Sequence, residues 1–139
     1  MKILLLIALI INLSFASVVD DYLNSLKQEV LKENPKFTGF DAKRGEEIFT
    51  STHIGKKGKE ISCVTCHTTN LNNNGENTFT GKVIEPLSPK ANPKRFTDRA
   101  EIEKWLKRNF NDVYNREGTA LEKGDVVTYI LSKDQKWDI

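Results

Sequence analysis

Two thiols and an imidazole fall within five residues, Cys63-Val64-Thr65-Cys66-His67. They are the chain's only cysteines and one of its two histidines. C-x-x-C-H is the attachment signature of c-type haem, and the spacing has a chemical reason. Thiols three residues apart reach both vinyl groups on one edge of a porphyrin to form thioethers. The imidazole that follows then turns beneath the ring to take the iron. One covalent haem c is expected, with Cys63 and Cys66 as anchors and His67 as proximal ligand. Two other chemistries use the same residue types. Zinc would draw on Cys63, Cys66, His67 and His53, but adjacent Cys66 and His67 fit poorly at two corners of one tetrahedron. A thioredoxin-like dithiol needs strand-rich surroundings, and no convincing strand pattern is present.

The opposite face of the iron is the more informative question. Electron-carrying cytochromes c commonly place methionine there. The single methionine is Met1, which would leave with an N-terminal leader. His53, ten residues before Cys63, would make a low-spin bis-histidine carrier. Its expected place, at the end of a helix beside the attached edge, favours a surface or propionate-facing role instead. The remaining choice is a weak ligand or an open position. Either gives high-spin or readily exchanged iron, able to meet small molecules as well as pass electrons.

The elements that must position these groups read as helices joined by long loops. Met1-Lys2 leads into an apolar run from Ile3 to Leu13 and then Ser14-Phe15-Ala16. This is the layout of a secretory signal, residues 1–16, cleaved after Ala16; it is short for the ~20 residues of a membrane-spanning helix. A periplasmic location follows. The leader carries one base and no acid, so the net charge falls from +2 to +1, a balance without strong overall attraction to nucleic acid. About 120 remaining residues make one domain, small enough for a cofactor to form much of the core.

A helical extension, residues 17–38, is expected from Val18, Leu23, Leu26, Val30 and Leu31, ending before Pro35. The cytochrome domain, 39–133, opens with a helix capped by Asp41, in which Gly45 lets another helix approach closely. Residues 68–97 are turn-rich, with Pro86, Pro89 and Pro93, and are long enough to wrap something. Asp98 with Glu101 reads as a capping box for a helix through Phe110, carrying Ile102, Trp105 and Leu106 on one face. Thr119 with Glu122 is a second such box, opening a helix with Val126, Val127, Ile130 and Leu131. A loose tail, 134–139, contains Trp137. Basic residues crowd Lys90 to Arg108, either a solvated helix face or a docking patch for an acidic partner.

The strings RGEEIF, SCVTCHT, GKVIEPLSPKANPKRFTD and EKWLKRNFNDVYNRE followed by EKGDV resemble the SHP-type cytochromes c, exported monohaem proteins named for the sphaeroides haem protein. The resemblance spans roughly Phe40 to Ser132. It implies an all-α, class I cytochrome c-like fold with long loops around one covalent haem. It also implies an asparagine as sixth iron ligand, and the matching position is Asn109, with Asn111 the nearest competitor. An amide oxygen is a hard, weak donor, tolerable to ferric iron and poorly held by ferrous iron. Reduction would release it and open the iron to dioxygen or nitric oxide. Phe96 and Trp105 are the aromatic candidates for contact with the haem. Two cysteines that bridge the ligand loop in some members are matched here by Phe110 and Gly118, so packing from Phe110, Val113 and Tyr114 alone should hold that loop.

The resemblance points to electron transfer, with a dihaem cytochrome c, and a membrane b-type cytochrome, as redox partners and diatomic gases as ligands. A haem enzyme or sensor acting on a small oxygen or nitrogen oxide species is the reading from another class. For it, His53, Lys107, Arg108 and Tyr114 are general-acid candidates that spacing does not rank.

Overall fold

The computed structural model describes residues 16–134; residues 1–15 of the expected leader, and Trp137, lie outside them. Among the described residues, five helices carry the fold: α1 (Ala16–Glu33), α2 (Ala42–Thr50), α3 (Cys63–His67), α4 (Arg99–Tyr114) and α5 (Ala120–Ser132). Among the described residues, no helix is long and apolar enough to cross a membrane.

α5 is the centre. Val126, Val127, Tyr129 and Ile130 are all buried, because α1 and α2 both pack on it. α1 presents Val19, Tyr22, Leu26 and Val30, a stripe at three- and four-residue spacing that suits one buried helix face. Val18, Leu23 and Leu31, expected on that stripe, are its half-buried flanks. α2 begins at its Asp41 cap, which accepts the Arg44 N–H at 2.7 Å. Gly45 makes the α2–α5 crossing close: a Cβ there would lie 2.7 Å from Tyr129 Cβ and strike the Asp125 carbonyl. Asp125 itself is 1% exposed. Its carboxylate accepts from Arg44 Nε at 2.8 Å, Arg44 Nη2 at 3.0 Å and the Asp41 N–H at 2.7 Å, so the buried charge is fully partnered.

α4 starts at Asp98, whose side chain accepts from the Glu101 N–H at 3.1 Å. It runs one turn past its expected end. Phe110 and Val113 continue the buried face, and Asn115, in the left-handed region at φ 54°, ends the helix. Asn109 therefore sits inside α4 and not at its terminus. α2 is shorter than expected and stops at Thr50.

Two minimal antiparallel ladders interrupt the helical plan. β1 (His53–Ile54) pairs with β2 (Glu60–Ile61), and β3 (Gly75–Glu76) with β4 (Val83–Ile84). Two residues per strand are too few for alternation to register in the sequence. Asp134, expected in a loose tail, is tied down: it accepts from the Ser88 hydroxyl and from the Lys90 N–H at 3.1 Å. That fastens the end of the chain to the long loop.

Candidate haem site

α3 is a helix of five residues, and its start is fixed locally: the Ser62 N–H donates to Thr65 Oγ1 at 2.9 Å. Positions three apart on a helix share a face, so Cys63 and Cys66 open onto the same cavity, of about 480 Å³, which His67 also lines. Both cysteines are free thiols. Burial, and then the neighbouring Cys66, push the Cys63 thiol up to about 12. His67 is buried against Phe49, ring centroids 6.2 Å apart. Burial first, then the charges of Arg95 and Arg108, pull its pKa down to about 4. It is a neutral imidazole at any ordinary pH, without a hydrogen-bond partner among the described residues.

The remaining walls come from α4 and the β3–β4 hairpin. α4 contributes Trp105, Arg108, Asn109, Asp112 and Val113; the hairpin contributes Asn77, Phe79, Lys82, Val83 and Ile84. Asn77 shapes the hairpin by accepting the Phe79 N–H at 2.9 Å on Oδ1, and Lys57 Nζ caps the Phe79 ring at 4.3 Å. Two adjacent thiols, a buried neutral imidazole and a mixed apolar and cationic wall suit a covalent haem. The residues present fit the group.

The expected site residues separate into layers. Cys63, Cys66, His67, Trp105 and Asn109 line the cavity. Phe96 does not; it is buried behind Trp105 in an edge-on contact, centroids 6.0 Å apart. His53 belongs elsewhere. Because α2 ends early, His53 enters β1, stacks on Tyr114 with centroids 4.1 Å apart and meets Ser51 Oγ through Nε2 at 3.0 Å. It borders a separate surface hollow beside Glu47 and Leu121 and does not line the cavity that His67 lines. Asn111 is likewise turned away: its Nδ2 donates to the Lys107 carbonyl at 2.8 Å. The side chain of Asn109 makes no hydrogen bond with any described residue.

The loop after α4 is held by more than packing. Phe110 lies directly over Gly118, where a Cβ would come within 2.7–2.8 Å of its ring. Arg116 grips Glu122 in a fork at 2.8 and 2.7 Å, and Lys123 meets Glu117 at 3.0 Å. Arg95 is a cavity residue that sequence reasoning placed in the surface basic stretch. Nothing in its spacing marks it.

A family model described as a domain of unknown function, DUF1924, matches residues 35–130. Cytochrome c-type protein SHP of Cereibacter sphaeroides is 46% identical over 93 residues, 67% of this chain and 71% of that protein. Cytochrome c'' of Methylophilus methylotrophus is 35% identical over 100 residues, 72% and 69% of the two chains. Among solved structures, oxidised cytochrome c'' superposes with a TM-score of 0.76 at 29% identity, over 86% of this chain and 97% of that one. Oxidised SHP, described as an oxygen-binding cytochrome c, gives 0.70 at 37% identity, over 81% and 95%. The chain belongs to the DUF1924 family and is an SHP-type monohaem cytochrome c with an all-α cytochrome fold.

Proposed function

We propose that this cytochrome is a periplasmic electron carrier whose sixth iron ligand is the Asn109 amide, released on reduction so that small diatomic molecules gain access. The observation that carries the reading is the position of Asn109: it lines the same cavity as His67, and its amide has no other described partner. Haem, when bound, would supply one-electron exchange and an iron centre able to take a small ligand. The chain's part is to hold a neutral imidazole on one side and a weak amide donor on the other. The reading is also supported by the relatives. One is described as oxygen-binding, and a solution structure of cytochrome c'', similar with a TM-score of 0.73 at 30% identity, is described in terms of haem-ligand detachment.

Substituting Asn109→Ala tests it. The haem should stay attached, the ferric absorption and paramagnetic resonance spectra should change, and an added ligand such as azide should enter the oxidised protein faster. An unchanged ferric spectrum would assign the ligand to another residue.

An acidic dihaem cytochrome c, with a membrane b-type cytochrome behind it, is the partner this reading implies. The basic stretch is smaller than its sequence suggests. Arg95 turns inward, Arg99 pairs with Glu103 at 2.8 Å and Lys104 with Glu101 at 3.4 Å. Lys90, Lys94 and Lys107 remain exposed, and none is in an ion pair among the described residues. These three are the candidate docking charges.

A further inference from the structure

Arg95 is a half-buried cation with no described carboxylate at ion-pair distance. Its Nε donates to the Pro86 carbonyl at 2.9 Å and its Nη2 to the Glu85 carbonyl at 2.8 Å. No ion pair joins it to a described residue, and the Glu85 carboxylate is taken by Asn92 Nδ2 at 3.2 Å. Burial lowers its pKa from the ordinary value, opposed by the charge of Glu85 and helped by repulsion from Arg108. A buried cation is costly unless an anion meets it.

The backbone bends to place it there. Phe96 has φ 59°, in the left-handed region that a bulky side chain rarely adopts, and such strain collects at functional sites. The reversal buries Phe96 in the core at 4% exposure and leaves Arg95 on the cavity wall, where Arg108 is the second guanidinium. Glu85 and Asp112 also line the cavity, yet neither forms an ion pair with either arginine.

We propose that Arg95, seconded by Arg108, receives the propionate carboxylates of the haem. The thiols of α3 take the vinyl edge, so the group brings two carboxylates on its other side into a cavity holding two unpaired guanidiniums. Arginine suits this task because its planar fork matches a carboxylate with two parallel hydrogen bonds. The two backbone carbonyls occupy two of its five N–H donors, fixing the plane and leaving the others for the incoming anion. A free oxyanion from solvent has the same chemistry and is the competing occupant.

The test uses the matured, haem-loaded protein. Arg95→Gln should shift the propionate-bending band in the resonance Raman spectrum. It should also lower the reduction potential, because a carboxylate stripped of its cation favours ferric iron. Arg95→Lys should restore most of the potential while still shifting the band, since the charge returns without the fork. A band unmoved in Arg95→Gln would overturn the proposal. So would an unmoved band combined with loss of inorganic phosphate binding, followed by the visible spectrum, which would assign the site to a solvent oxyanion. If Arg95→Gln does not mature, Arg95→Lys and Arg108→Gln carry the same band prediction, and two unmoved bands overturn it equally.

Discussion

In the proposed site, His67 and Asn109 would present a donor to iron in two different ways. His67 is kept neutral by burial and by nearby guanidiniums, with its pKa down at about 4, so no proton competes for its nitrogen. Asn109 is neutral by chemistry, and its weakness as a donor is the proposed function. Making that donor strong should abolish the release. Asn109→His is expected to give low-spin spectra in both oxidation states. Carbon monoxide binding to the reduced form should slow by about tenfold for each ~1.4 kcal/mol of added ligand strength. Stopped-flow mixing of reduced protein with carbon monoxide measures this; unchanged rates would mean that position 109 does not guard the iron.

The turn between α4 and α5 decides how firmly the ligand helix ends. Thr119 accepts from the Glu122 N–H at 3.1 Å, and Glu122 returns a bond from the Thr119 N–H at 2.8 Å. Thr119→Ala should cost ~1 kcal/mol, the usual value of such a cap, read from chemical unfolding of the haem-loaded protein. The hydrogen bonds from Arg116 hold the Glu122 carboxyl below the usual carboxylate range, assisted by the Thr119 N–H and opposed by burial. A depressed folded pKa adds stability that is full above the unfolded value, ~4.3, and is lost as pH falls through the folded one. Glu122→Gln should therefore be less stable than the parent at neutral pH, with the difference closing in acid. Unfolding curves at several pH values would show the gap narrowing; a constant gap would remove the linkage.

Gly118 belongs to the same turn. A methyl there would press on the Phe110 ring, an overpacking that typically costs about 1–3 kcal/mol, and Phe110 directly follows Asn109. A disulfide built at 110 and 118 instead replaces that contact with a covalent link. It should slow exchange at Asn109, compared by ligand-binding rates with and without reductant; equal rates would show that the turn does not control the ligand.

For the molecule as a whole, long-range charge governs encounter with partners. Lys90, Lys94 and Lys107 should steer an acidic redox protein, and exposed charges are screened beyond ~8 Å at physiological salt. Electron transfer to an acidic dihaem cytochrome c should slow steeply between low and high salt. The triple substitution of these lysines by glutamine should flatten that dependence while leaving the reduction potential near its parent value. A flat response in the parent would place docking on another face.

The sequence by itself determined the cofactor and named Cys63, Cys66 and His67 as the residues to hold it, because thioether attachment demands thiols and an imidazole at one fixed spacing. Helices α1, α2 and α5 were also legible, since caps and apolar stripes are local signals, and Gly45 announced its close crossing. Tertiary structure decided what local pattern could not. Packing of Phe110 and Val113 extended α4 past Asn109, and the early end of α2 sent His53 to Tyr114 instead of the cavity. A left-handed Phe96 swung Arg95 from the surface stretch into the cavity wall. These outcomes depend on which surfaces meet across the fold, and residues far apart in the chain leave no spacing between them to read.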